Sequence, residues 1–510
     1  MPRAKKGQTT AASTPDADAT ANGTATEAGA TATAAGSVAA TEAEATTTAP
    51  PIDAEPVAKP AGKKRPIALK CSVNQAQLKG ALDQVRGSLP TRKSLPNPAI
   101  GLYRLVADRT GKTLAITTYN EVVATTVTIP ANVVVGGELL VSKDLAELVA
   151  QLPDAGITLS AETPNRLQVI MDSRTFSPNS MSAANYPDLF DQDGAAGLDS
   201  DGAAGLDGDG ERHAYQVGTE VFRNALEFVC PGALTEGGDA ETSIFNSVRL
   251  DLWHGKKIDV FALAASDDSL MVADESTVVA DATIDRKSPR MTVAIPVKSL
   301  QILAKLLDEA ESETVAIRFQ SAADADHATL CRFQCGGREL LTHLVTSQWP
   351  DYLSHIPTAE QFQSQVVADR ELLLSLVNCN LVFAVAKTFR TMIVDPFSQD
   401  GTISTWVKTQ SKGESVQEMV ATISALNGGN LANMKPMGFN AAQVKLALGL
   451  FSDTEISWQL ISPVAPTLLS AGTKGRWVVL MPISVNDSES ESDGDALPEP
   501  AEPTTRKGKK

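Results

Sequence analysis

Apolar side chains recur along this chain with two periods, and the two alternate. In NQAQLKGALDQVRG, Leu78, Ala81, Leu82 and Val85 stand at i, i+3, i+4 and i+7, which predicts an amphipathic helix with one buried stripe. In SKDLAELVAQL, Leu145, Leu148, Val149 and Leu152 form a second stripe, with Ser142 placed to cap it. The run TIPANVVVGGELLV before it is apolar and β-branched and reads as strand.

The same order returns twice. AYQVGTEVFRNALEFVC carries a stripe of Phe222, Ala225, Leu226 and Val229, with Thr219 as its expected cap. After the strand MTVAIP, VKSLQILAKLLDEA places Leu300, Leu303, Ala304 and Leu307 on one face. A third copy has DRELLLSLVNCNLVF and then NAAQVKLALGLF, where Val444, Ala447, Leu448 and Phe451 repeat the spacing. Stretches of β character separate the helices, among them GKTLAITTYNEVVATTVTI, KKIDVFALAASDDSLMVAD and DGTISTWVKTQ. An internal repeat of this length predicts tandem domains of one plan. The fold class is therefore α+β: three successive similar domains, each with two helices against its sheets. NYPDL at 185–189 and QWPDY at 348–352 close the first two copies. Their proline cannot donate to a ladder and predicts where a last strand leaves its domain.

Composition sets the boundaries. Residues 1–66 are Ala, Thr, Pro, Gly and Glu with almost no large apolar side chain, so they are expected to be disordered, as is the acidic tail 487–510. Between them lie a first domain at 67–190, a linker at 191–212, a second domain at 213–358 and a third at 359–486. The linker holds DGAAGLD twice. Its acidic, Gly-rich units do not match an EF-hand loop and read as a flexible spacer rather than a calcium site. MPRAKKGQTT is followed by no apolar core, so no secretory signal is expected, and no apolar run is long enough to span a bilayer. Five scattered cysteines suggest reduced thiols and a cytoplasmic location. Cys331 and Cys335 lack a second ligand pair at zinc spacing. The five histidines sit in dissimilar contexts, and no Ser-His-Asp spacing, HExxH or phosphate-cradling loop is present. A metal-dependent enzyme using acidic loops such as Ser266-Asp267-Asp268 is the alternative from another class. A net charge of −17 argues against general nucleic-acid binding unless cations collect on one surface.

In combination, ALDQVRGSLPTRKSLP, ELLVSKDLAELVAQLP, NYPDL, IPVKSLQILAKLLD, QWPDYLSHIP and MGFNAAQVKLAL…VVLMPI resemble the bacterial sliding clamp, the beta subunit of DNA polymerase III, over roughly residues 67–486. The resemblance implies a DNA clamp fold. Two subunits would join head to tail, with sheets outside and helices lining a hole for double-stranded DNA. It implies a non-catalytic processivity factor without a cofactor, whose partners are a second copy, duplex DNA, the polymerase catalytic subunit, the clamp loader and repair proteins. A divergent clamp serving repair or a mobile element is the runner-up. The expected lining cations are Lys79, Arg86, Arg92, Lys93, Lys143, Arg223, Lys298, Lys305, Lys387, Arg390 and Lys445, with Arg92 matching a family arginine that touches the DNA backbone. The expected client-peptide pocket takes Phe245, the loop residues Ser266, Asp268, Leu270 and Met271, then Pro350, Val479, Leu480, Met481, Pro482 and Ile483. The chain departs from the family pattern at SDDSLM, which lacks the usual Gly and Arg, and at Ser354 and His355, where an arginine and an apolar residue are common.

Overall fold

The computed structural model describes residues 69–92, 95–187, 214–234, 244–267, 269–285, 290–321, 328–347, 349–385, 390–396, 401–409 and 411–484. Three successive stretches share one plan. In the first, β1 (Leu69–Asn74) runs into α1 (Gln75–Val85), followed by β2 (Tyr103–Asp108), β3 (Thr113–Tyr119), β4 (Val123–Pro130), β5 (Asn132–Val135), β6 (Gly137–Val141), α2 (Asp144–Gln151), β7 (Gly156–Ala161), β8 (Leu167–Met171), β9 (Arg174–Phe176) and β10 (Ser180–Met181). The second has β11 (Ala214–Gly218), α3 (Thr219–Val229), β12 (Ser247–Trp253), β13 (Val260–Ser266), β14 (Leu270–Asp274), a short α4 (Ser276–Ala280), β15 (Met291–Pro296), α5 (Val297–Asp308), β16 (Thr314–Ser321), β17 (Ala328–Cys335) and β18 (Arg338–His343). The third has β19 (Ser364–Asp369), α6 (Arg370–Phe383), β20 (Thr391–Asp395), β21 (Thr402–Thr409), β22 (Gly413–Val420), β23 (Thr422–Ala425), β24 (Met437–Asn440), α7 (Ala441–Leu450), β25 (Glu455–Leu460), β26 (Thr467–Ser470) and β27 (Arg476–Leu480).

The strands form four open sheets, ordered β5-β1-β7-β8-β9, β10-β6-β2-β3-β4-β18-β17-β16-β11, β15-β12-β13-β14-β27-β26-β25-β19-β23 and β22-β21-β20-β24. Each nine-stranded sheet crosses from one stretch to the next. The seams are the antiparallel pairs β4 with β18, and β14 with β27. The helices pack in pairs, α1 on α2, α3 on α5 and α6 on α7. Their stripes and the inward strand residues join one continuous apolar core, in which Leu78, Phe222, Leu300 and Val444 are fully buried. Each such apolar side chain contributes roughly 1.5–3 kcal/mol by leaving water.

Local chemistry sets the helix starts. Asn74 caps α1 by accepting from the amides of Ala76 and Gln77, Asp369 caps α6 by accepting from Leu372, and Asn440 caps α7 by accepting from Ala442. Two expected caps are corrected. The Ser142 hydroxyl donates to the Asp144 carboxylate at 2.9 Å, and α2 has no side-chain cap. Thr219 is the first residue of α3, and its hydroxyl donates to the Ser312 carbonyl at 2.7 Å. The run TIPANVVVGGELLV is also not one strand. It is divided into the end of β4, then β5 and β6, because the chain turns between two sheets.

The closing stretches follow the last strands of the first two stretches, β10 and β18, and their aromatic residues anchor the chain there. A 3-10 turn, Ala183–Asn185, precedes Tyr186, which is buried. Trp349 is buried too and donates from Nε1 to the Ser247 hydroxyl at 2.9 Å. Asp188, Leu189 and Gln348 lie outside the described residues, as do the expected tails and the linker.

Candidate functional site

The expected cations spread over the helices and the loops beside them. Lys79 lies exposed on α1, and Arg86 opens the 3-10 turn at its end. Arg92 is exposed in the following loop. Lys143 precedes α2 and donates from Nζ to the Pro90 carbonyl at 3.1 Å, which ties the base of that loop to α2. Lys298 and Lys305 lie two turns apart on α5, and both are exposed. Arg92 and Lys298 line one cleft of about 330 Å³ with Leu89, Leu95, Leu234 and Ile302. Lys445 on α7 is exposed and borders a larger cleft, about 890 Å³, between α3 and α7. Arg390 is exposed with φ at 51°, and its carbonyl accepts from the first amide of α7. Arg223 stands apart, because it pairs with Asp308 on α5 and approaches Glu227 at 4.0 Å. Its charge is largely met within its own helix pair. Lys93 and Lys387 lie outside the described residues. Acidic Asp144, Glu147 and Glu227 are exposed among these cations, so any field here is modest.

The pocket residues divide by strand alternation. Met271 is opposite Val479, and Leu270 is opposite Leu480, across the β14–β27 seam. Met271 and Val479 point to the outer face, where they pack with Ala264, Ala273, Tyr352 and Trp477 under Leu353 and Ile356. Leu270 and Leu480 point the other way and join the main core. Met481 is 39% exposed, and its amide donates to the Ser269 carbonyl. Pro482 is half-buried, and the Ile483 amide donates to the Gly438 carbonyl at 2.8 Å. Ser266 closes the hairpin by donating to the Leu270 carbonyl at 3.0 Å. Phe245 is half-buried just before β12. Asp268 lies outside the described residues.

Pro350 is exposed, and its carbonyl accepts from Arg249 Nη1 at 3.1 Å. That arginine was missed in the sequence reading. It is buried in β12, donates from Nε to both oxygens of Asp251 at 3.1 Å, and lies 5.1 Å from the Tyr352 ring centroid. Asp251 also receives Thr292 and approaches Arg290 at 3.4 Å. The Tyr352 hydroxyl donates to Glu275 at 2.9 Å. Burial first, and then the Glu275 and Asp251 carboxylates, push that phenol well above its ordinary range. A signal was present: in VRLDLW, Arg249 and Asp251 occupy i and i+2 of a strand buried on both faces. Ions there must be paired.

The Asp267 carboxylate is held by its neighbours. Its Oδ1 accepts from the amides of Ser269 and Leu270, and its Oδ2 accepts from Gln443 Nε2 at 2.9 Å. Among the described residues no cluster of three or more His, Cys, Asp or Glu could hold a metal ion. Cys331 and Cys335 are buried on β17, and Cys71 is buried on β1. Burial pushes the Cys71 and Cys230 thiols up to about 12. Cys379 on α6 is exposed. Among the described residues no helix is long and apolar enough to cross a membrane.

Residues 69–190 match the family model of the DNA polymerase III beta subunit, N-terminal domain. No curated protein sequence matches the chain. Among solved structures, it is similar to the DNA polymerase sliding clamp from Bacillus subtilis, at 17% identity with a TM-score of 0.66, over 82% of this chain and 100% of that one. It is similar over the same shares to the DNA polymerase III beta subunit from Thermotoga maritima, at 17% identity and a TM-score of 0.64. The sliding clamp from Pseudomonas aeruginosa bound to griselimycin aligns at 20% identity and 0.65, again over 82% and 100%. The fold of this chain is the sliding-clamp fold.

Proposed function

We propose that this chain, which matches the DNA polymerase III beta N-terminal domain at 69–190 and the sliding-clamp fold over 82% of its length, is a DNA sliding clamp. It works without catalysis in the cell interior, as two subunits joined head to tail around duplex DNA. Its domains are 67–190, 213–358 and 359–486.

One observation carries the reading. Each seam within the chain joins the last strand of one half-sheet to the last strand of another: β4 to β18 and β14 to β27. Two half-sheets remain, the five-stranded one ending in β9 and the four-stranded one ending in β22. In the repeat, β9 corresponds to β18 and β27, and β22 corresponds to β4 and β14. The outward edge of β22 exposes Val416 and Val420. One chain therefore presents both halves of a third nine-stranded sheet, at opposite ends of its sequence. A second copy completes it twice, and a two-fold closes the assembly.

A closed ring holds DNA by topology and needs only weak, sequence-independent attraction from the cations named above. The polymerase and other clients then dock as short peptides near Met271, Pro350 and Met481, and tethering turns repeated encounters into an intramolecular event. The test uses the full-length protein, measuring its solution mass and its retention on nicked circular DNA before and after linearisation. A dimer loaded on circles should be shed when the circle is cut. A chain that is monomeric at high micromolar concentration, or equally retained on both DNAs, would refute the reading.

A further inference from the structure

The two seams inside the chain share a feature that the sequence repeats a third time. Both seam strands that follow a turn open with arginine, Arg338 on β18 and Arg476 on β27, and so does β9, with Arg174. The turn before Arg174 holds Asp172 at φ 51°, and the turn before Arg338 holds Gly336 at φ 58°, in each case two residues upstream. Arg338 is opposite Cys335 on the preceding strand, and Arg174 is opposite Met171.

The rows of residues across the sheets fix the register. Leu139, Leu105, Ile116 and Val127 lie side by side and end at Arg338. Val293, Leu250, Leu263 and Asp274 do the same and end at Arg476. The third row is Met437, Val394, Thr405 and Gln417, and it stops at the edge of β22. Leu139, Val293 and Met437 each stand two residues before the last apolar residue of the strand that leads to the second helix, so the rows are equivalent.

Both arginines land on the same helix position. Arg338 donates from Nε to Gln84 Oε1 at 2.9 Å. Arg476 pairs with Asp274 at 2.8 Å, and its guanidinium lies 5.2 Å from the Phe228 ring centroid. Gln84 is the tenth residue of α1 and Phe228 the tenth of α3, counted from Gln75 and Thr219. The tenth residue of α6, counted from Arg370, is Cys379. The eleventh residues, Val85, Val229 and Asn380, are all fully buried, so the three helices present the tenth residue in the same orientation.

We infer that Arg174 of one subunit lies opposite the partner's Gln417 and seats its guanidinium against the partner's Cys379, as the third instance of the bracket that Arg338 and Arg476 form within the chain. This rests on the two-subunit reading above. In it, Arg174 and Cys379 set which edges pair and in which register, and Phe176 comes opposite the partner's Ser415.

A charge-swap cycle on the full-length protein tests this by sedimentation. Arg174→Glu should raise the dimer dissociation constant by roughly tenfold or more, and Cys379→Arg should do likewise by setting two guanidinium groups together. The double variant should recover most of the loss. Cys379→Glu alone should tighten the dimer. Maleimide labelling of Cys379 should slow as subunit concentration rises, and Arg174→Ala should remove that protection. If the wild-type chain never dimerises, the two-subunit reading itself fails. If it dimerises but the two positions show no coupling and Cys379 labels equally at all concentrations, the bracket is refuted while the ring stands.

Discussion

At the scale of single residues, the candidate peptide site is backed by charged side chains buried behind it. Arg249 and Asp251 form a nearly solvent-free ion pair, and the backbone carbonyl of Pro350 links Arg249 to the surface. Breaking a buried pair from one side leaves Asp251 to the partly exposed Arg290 and the Thr292 hydroxyl, so Arg249→Met should cost about 3 kcal/mol in denaturant unfolding. Adding Asp251→Leu should return much of that stability, since apolar replacement of both partners removes the stranded charge. The client peptide should still bind more weakly to the double variant, because Pro350 has lost its anchor. An unchanged peptide affinity in a stable double variant would show that Arg249 serves packing alone.

At the scale of elements, helix periodicity was legible and sheet membership was not. The stripes on α1, α3 and α7 are the buried ones, and that on α5 is buried at Leu300, Leu303 and Leu307 but only half-buried at Ala304, because a helix that packs on one side records that side every third or fourth residue. In α6, by contrast, exposed Leu372 and Val382 blur the stripe. A strand records only which face it turns inward, so the passage of a sheet from one repeat to the next leaves no mark in the apolar pattern. The same limit applied to the candidate site. VVLMPI was recognisable as a unit, but the alternation that sends Val479 outward and Leu480 into the core needed the structure. The run past β27 gives the sharper prediction. Met481 and Ile483 lie beyond β27, Met481 exposed and Ile483 half-buried at an isolated bridge to Gly438 that uses only its backbone, so Met481→Ala with Ile483→Ala should cost little in unfolding. A labelled polymerase C-terminal peptide that uses both as anchors should lose roughly 1–3 kcal/mol of affinity in a direct titration. Equal binding by a folded double variant would place the clients elsewhere.

At the scale of the whole molecule, the chain is a series of quasi-equivalent joints, and the joints differ in length. Within the chain, β4 meets β18 through five opposed residue pairs, and β14 meets β27 through five. The strand that pairs with a second copy in the proposed dimer, β9, has three residues. Ladder pairs act cooperatively along a strand, so a three-pair joint should release before a five-pair one under any common load. In a urea series, sedimentation should therefore report separation of the subunits well below the concentration at which circular dichroism reports loss of the fold, and coincident transitions would contradict it. An encircling protein has to be parted before it can be threaded. For the ring proposed above, the shortness of β9 makes that joint the clasp, with the place of opening set by strand length.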